Sequence, residues 1–371
     1  MRRVQALALG LALVASLARA ESGPQFRDLE NQALGGSGVA SSRGATALFI
    51  NPAGLYSEEG GEFGIATDLG VNSVLVDYAK WASDNYQYLK QIDSLLARMQ
   101  PVDYKWAPFS QSFLLHGRYQ GIAFAVVEDI HYELTLGKAV VTPVPGVGML
   151  SDLVFTGGKG FEGPEGYRFG VALKYLYRLR YDSRLMGTTE EAWYQVTQAW
   201  KRPGNGIMDQ WRKLGIAGDI AKPSHGVGVN LGVEKDVADN WTAGVAFLDF
   251  PTLIGSKFAR PEINLGMGYH RDLKLVEDLD TRGLVNIDFH RFLIPGTPWF
   301  KQIKAGTALE GYLNKRPVGH VALGLNDGYP TFGLRVGYIG YFSYVYVAEE
   351  IGTYPGQEKL SFHKLSFEIE L

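Results

Sequence analysis

The sequence predicts an all-β chain: a transmembrane antiparallel β-barrel of about fourteen strands. Three observations carry that prediction. Glycine supplies 46 of 371 residues, where a typical protein has about 7%. Aromatics are abundant, with Tyr 20 and Phe 19, yet mean hydropathy is only -0.07. Apolar residues also recur with a period of two. A barrel in lipid needs that combination, because side chains point alternately to lipid and to a polar or tightly packed lumen.

The first element is a leader. Arg2 and Arg3 precede the apolar run Ala6 to Ala18, and Ala18-Arg19-Ala20 has small-x-small cleavage spacing. Residues 1–20 read as a signal peptide. The run is too short for an anchor, which needs about 20 apolar residues. Losing Arg2, Arg3 and Arg19 takes the net charge from -3 to -6. A mildly acidic chain gives no support for nucleic-acid binding. With Cys 0, disulfides and thiolate metal sites are excluded. Export without disulfides suggests a bacterium.

Alternation then places strands near 62–72, 109–118, 121–136, 148–157, 167–181, 224–235, 240–250, 262–271, 283–291, 301–311, 317–325, 331–339, 341–349 and 360–371. In the fifth, Tyr167, Phe169, Val171, Leu173, Tyr175 and Tyr177 oppose Arg168, Gly170, Ala172, Lys174 and Arg178. An even count leaves both termini on one side. The connections alternate between mostly short and mostly long. Two expected inner turns are long (158–166 and 272–282), and one expected outer loop, 326–330, is short. At the C-terminal end Leu365, Phe367, Ile369 and Leu371 alternate, with Phe362 out of phase, which predicts a bulge or a shorter last strand.

Two outer loops, near 74–107 and 183–223, carry helix signals. Leu89, Ile92, Leu96 and Met99 recur at helical spacing before Pro101. Thr188 and Glu191 have capping-box spacing, followed by Trp193, Val196 and Trp200 on one face; a third helix would carry Ile207, Trp211 and Leu214. Such faces either pack on the barrel rim or form a groove for an apolar ligand or a protein partner.

Ahead of the first strand stand Gly35-Gly36-Ser37-Gly38-Val39-Ala40 and then Ala45-Thr46-Ala47-Leu48-Phe49-Ile50-Asn51-Pro52-Ala53-Gly54-Leu55. This opening resembles the N-terminal plug of the FadL family of outer-membrane long-chain fatty acid transporters, and equally that of PorV-like and TraF-like relatives. The resemblance implies a plug at 21–60 and a barrel at 61–371, in the outer membrane of a Gram-negative bacterium. Physically, Asn51 can cap the turn that follows, Pro52 has no N–H to satisfy, and Ala53 and Gly54 permit close approach to a wall. Phe49, Leu48 and Leu55 would anchor the turn. Phe49 and Leu55, with Asn51, Pro52, Ala53 and Gly54, are the candidate plug and gate residues.

No local motif supports catalysis. Tyr269 to Lys274 imitates a kinase catalytic loop, but Glu277 stands where the magnesium-binding Asn belongs; Arg271-Asp272 reads as a turn. No cofactor and no metal ligand set is expected. The inward faces carry Arg168, Lys174, Arg178, Asp288, His290, Lys304, Glu310, Arg335, Glu368 and Glu370. These either pair across strands or hold a ligand; Arg168, Lys174 and Arg335 are the candidates for a ligand carboxylate. The first functional reading is passive uptake of hydrophobic small molecules such as long-chain fatty acids. The second is a structural or secretion-system scaffold without a transported ligand. A continuous apolar route from loops to plug favours the first, and a salt-bridged lumen the second. Outer-membrane lipid is a contact in both, and outer loops could hold protein partners.

Overall fold

A computed structural model describes residues 28–56, 60–73, 80, 83, 105–138, 143–184, 223–276, 279–292, 294, 297–314, 316–350, 354–357 and 359–371. The leader, plug positions 21–27 and the loop residues Leu89, Ile92, Leu96, Met99, Trp193, Val196, Trp200, Ile207, Trp211 and Leu214 lie outside the described residues.

The strands are β1 (Gly61–Asn72), β2 (Lys105–Tyr119), β3 (Ile122–Lys138), β4 (Pro143–Glu162), β5 (Tyr167–Arg184), β6 (Ser224–Ala238), β7 (Trp241–Leu248), β8 (Thr252–Ile254), β9 (Lys257–Phe258), β10 (Glu262–Val276), β11 (Leu279–Phe289), β12 (Ile303–Leu313), β13 (Arg316–Asn326), β14 (Tyr329–Gly337), β15 (Gly340–Glu350) and β16 (Lys359–Glu370). Every one except β8 and β9 is a barrel stave, which makes fourteen. Each stave pairs antiparallel with its neighbour in the chain, and β1 closes on β16 from Gly64↔Glu370 to Asn72↔Phe362. Closure leaves no sheet edge, which a strand protein in lipid requires. β8 and β9 form a small hairpin that continues the wall above β7, beside the loop end of β6, with Gly226↔Ile254 paired.

All fourteen expected strands are present, and several are longer than alternation alone indicated. β4 runs to Glu162, so the turn before β5 is only 163–166. β10 runs to Val276 and β11 starts at Leu279. The two inner turns that read as long are therefore short, and Arg271-Asp272 is strand, not turn. Polar residues extend these strands because the paired partner, not hydrophobicity, satisfies their backbone groups. β2 and β5 likewise reach Lys105 and Arg184, inside the spans expected as loops. The expected bulge at Phe362 is absent: β15 and β1 pair with β16 without a register shift, and Phe362 faces inward, level with Asn72 and Val347. The short connection after β13 is a two-residue turn, with Asp327 and Gly328 at φ 52 and 83; Asp-Gly favours that hairpin geometry.

The outward faces are apolar. Ile65, Leu69, Phe113, Phe155, Leu173, Ile287, Leu323 and Phe367 are all exposed. Tyr119, Phe161 and Trp241 ring the end with the tight turns, and Phe109, Tyr132 and Phe289 lie toward the loop end. Aromatic girdles around an apolar belt match a bilayer in cross-section.

The N-terminal segment lies inside. Asp28 caps α1 (Leu29–Ala33), accepting from the Asn31 N–H at 2.6 Å. Leu29, Ala33 and Leu34 pack on Ala308, Ala322, Val345 and Val347 of the wall. Gly35 and Gly36, at φ 73 and 81, turn the chain back. It crosses the lumen to α2 (Ala47–Ile50) and the 3-10 turn Pro52–Leu55, which lie against β4, β5 and β6.

Candidate functional site

Asn51 organises the turn. It is fully buried. Its Oδ1 accepts from the Ala53 N–H at 3.2 Å, and its Nδ2 donates to the Val39 carbonyl at 2.6 Å. Pro52 occupies the first position of the 3-10 turn, where its missing N–H costs nothing. Pro52, Ala53, Gly54 and Leu55 are buried, while Phe49 is half-buried against the apolar cluster. The turn is apolar because barrel wall surrounds it.

Inward glycines seat the plug. A methyl group at Gly170 of β5 would overlap the Pro52 carbonyl, and one at Gly232 of β6 would overlap the Asn51 side chain. Gly170 and Gly232 are paired neighbours in the sheet. The glycine half of the alternating pattern is thus a flat bed for backbone contact.

Two sets of contacts join the plug to the rim. One is apolar. Leu48 and Leu55 belong to a buried cluster with Val127, Val154, Ala172 and Leu176 of β3 to β5, and with Ile254 and Ala259 of the rim hairpin segment. These packed side chains form a buried strip that links the loop end to the plug. The other is polar. Asn230 of β6 donates from Nδ2 to the Leu48 carbonyl at 3.0 Å, and its Oδ1 accepts from the Asp249 N–H at 3.0 Å and from Lys174 Nζ at 3.2 Å. Lys174 also pairs with the Asp249 carboxylate. Asp249 stands where β7 gives way to the rim hairpin.

The three candidate ligand cations all have carboxylate partners. Lys174 holds Asp249. Arg168 grips Asp236 with both terminal nitrogens, at 2.8 and 3.0 Å, and reaches Glu234 at 3.4 Å; Arg43 of the plug meets Glu234 at 3.2 Å. Arg335 pairs with Glu30 of the plug and with Glu368 and Glu370 of β16 at 3.0 and 3.3 Å. Arg178 holds Asp152 through two 2.7 Å bonds. Asp288 accepts from the Gly38 and Val39 N–H groups at 2.6 and 2.9 Å, and so pins the plug to β11. Lys304 pairs with Asp327, and Tyr312 donates to Glu310 at 2.6 Å.

A cavity of about 840 Å³ lies between the plug and the turn end, walled by charged side chains that include Glu62, Arg118, Glu310 and Arg316. Two plug carboxylates face it. Burial raises the pKa of Asp28 to about 6, helped by the nearby charge of Glu30. Burial pushes Glu30 the same way, but the charges of Arg335 and His320 outweigh it and hold the group at about 2.

Sequence reading missed Asn230, Asp249, Glu234, Arg43 and Glu30. Asn230 had a faint signal, as the one polar inward residue among the glycines of "GVGVNLGV". The others became partners only through strand register and the path of the plug.

No protein-family model and no curated protein matches the chain. Solved structures do. The toluene transporter TodX of Pseudomonas putida is 11% identical, with a TM-score of 0.47 over 94% of this chain and 98% of that one. The Ralstonia pickettii toluene transporter TbuX is 11% identical, with a TM-score of 0.46 over 93% and 98%. A Pseudomonas aeruginosa FadL homologue is 9% identical, with a TM-score of 0.41 over 95% and 98%. These three solved structures, to which the plugged, fourteen-stranded barrel is similar, are FadL-family transporters.

Proposed function

We propose that this chain is an outer-membrane channel for passive uptake of hydrophobic small molecules. The supporting observation is the packed apolar strip that links Ile254 and Ala259 at the rim, through Leu176, Val154 and Val127, to Leu48 of the plug. These side chains are already buried, so an apolar solute passes by displacing their contacts and recovers about 25 cal/mol per Å² of apolar contact in their place; no energy source is needed for downhill movement. The Asn51-Pro52 turn is the gate in this reading, since it lies where the strip ends. The chamber beyond the plug mixes charged side chains with apolar ones such as Leu114 and Leu284, so a solute leaving the strip meets a more polar surface, and release follows passage.

The test is entry of a fluorescent long-chain fatty acid into vesicles carrying the purified barrel. Val127→Glu and Leu176→Lys put a charge into the strip, and each should slow entry about tenfold while the barrel keeps its heat-modifiable gel mobility. Unchanged entry in both variants would rule the strip out as the route. A second reading, a scaffold without a ligand, draws on the ion pairs that tie plug to wall at Glu234, Asp288 and Arg335. Its mark would be a folded barrel with no saturable uptake.

A further inference from the structure

The lipid-facing belt contains one anomaly. Glu128 lies on β3 between Val126 and Ile130 of the outward row, and it is exposed. In the sheet it is level with Phe113 of β2 and Leu153 of β4. Among the described residues it is the one outward carboxylate between the two aromatic girdles, and no hydrogen bond or ion pair reaches it. Tyr132 lies four residues toward the loops and Ile122 six residues toward the turns, so Glu128 is about 13 Å and 20 Å along the strand from the two girdles. An ionisable group at that depth is expensive in hydrocarbon, and it usually has a partner.

The surroundings describe that partner. Gln111 of β2, also outward and exposed, sits diagonally beside Glu128. Toward the turn end an open groove of about 430 Å³ crosses the outer wall, bordered by Phe124, Val126, Phe155, Leu173 and Tyr175 over Gly157. A carboxylate beside an apolar groove suits a basic group carried on an apolar body. Lipid ammonium groups stay at headgroup level, beyond the girdle. Among its described residues a second copy of this chain has no outward cation at the right depth: Lys159 is level with Ile122, Lys235 with Tyr167, and Arg271 lies beyond Tyr269.

We propose that Glu128 and the adjoining groove form a lateral docking face for a second membrane protein, one that presents a lysine or arginine from an apolar lipid-facing surface. This inference is independent of the uptake reading.

The chain has no cysteine, so a fluorophore can be placed at Tyr354→Cys, which is exposed between β15 and β16 and away from the groove. The labelled barrel is reconstituted in vesicles with an acceptor-labelled transmembrane peptide of leucine and alanine that carries one lysine at mid-depth. The same peptide with leucine or glutamate at that position is the comparison. Energy transfer should saturate at about tenfold lower peptide for lysine than for leucine. Glu128→Leu should abolish the preference without loss of folding, and Glu128→Lys should shift it to the glutamate peptide. Equal transfer for the three peptides, or a lysine preference that survives Glu128→Leu, overturns the proposal. Transfer between donor- and acceptor-labelled barrels without peptide overturns it in favour of a second copy.

Discussion

The side-chain amide of Asn230 on the barrel wall donates to the carbonyl of Leu48 in the plug, at 3.0 Å. Its oxygen takes the Asp249 N–H beside the rim hairpin. One buried side chain therefore ties the plug to the outer rim. Asn230→Leu removes that tie and leaves buried groups without partners, a loss of about 1–3 kcal/mol each. A cysteine placed at Phe49 should then react with maleimide at least tenfold faster. No change in reactivity would mean that the apolar contacts of Leu48 suffice by themselves.

Asn51 bridges two stretches of the plug, the 3-10 turn and the turn at Val39. Asn51→Ala deletes the cap and the bond to Val39 together. The expected cost to the plug is about 2–4 kcal/mol, from about 1 for the cap and the rest for the stranded carbonyl. Hydrogen exchange read on peptides covering 39–56 should rise about a hundredfold, while the barrel strands stay protected. Exchange that rises equally in strands and plug would instead make the plug part of one cooperative unit with the wall.

At Gly170 the wall itself is tested. Gly170→Ala forces the Pro52 carbonyl away from β5, an overpacking cost of about 1–3 kcal/mol. The outward face of β5 is untouched, so the barrel should still close. Limited proteolysis should cut near 47–56 in the variant and spare the parent. Equal protection would show that β5 or the turn can shift to make room.

The two plug carboxylates respond to pH in opposite senses. Glu30 has its folded-state pKa lowered to about 2, so its stabilising effect is complete above about pH 4.5 and is lost as pH falls from there toward 2. Asp28 has its value raised to about 6, so the folded plug favours its neutral form, and stability declines as pH rises from about 4 through 6. Asp28→Asn keeps an oxygen for the Asn31 N–H but cannot ionise. It should make the plug harder to extract with urea at pH 7.5 and have little effect at pH 3.5. A variant weaker at pH 7.5 would show that the charge at Asp28 helps instead.

The strands were legible because their signal is local. Alternation along "YRFGVALKYLY" follows from which face meets lipid, and each strand repeats it separately. The apolar turn at Asn51-Pro52 was legible for the same reason: cap, proline and small residues are adjacent in the chain, and they do in the fold what their chemistry allows. Extensions of β4 and β10 were not legible, because polar residues at the strand ends are held by a paired neighbour. The pairing of Arg168 with Asp236 and Glu234, or of Arg335 with Glu30, could not be read from spacing either. Barrel register and the path of the plug bring those groups together from positions as far apart as 30 and 335.

The sequence by itself determined a closed barrel with an apolar belt and a small-residue lumen, because side-chain direction in a strand has a fixed period. Only the tertiary structure decided what the lumen does. It laid the plug on Gly170 and Gly232, joined Leu48 to the rim through Asn230, and neutralised the inward cations. Those contacts depend on register between distant strands, which a local pattern does not specify.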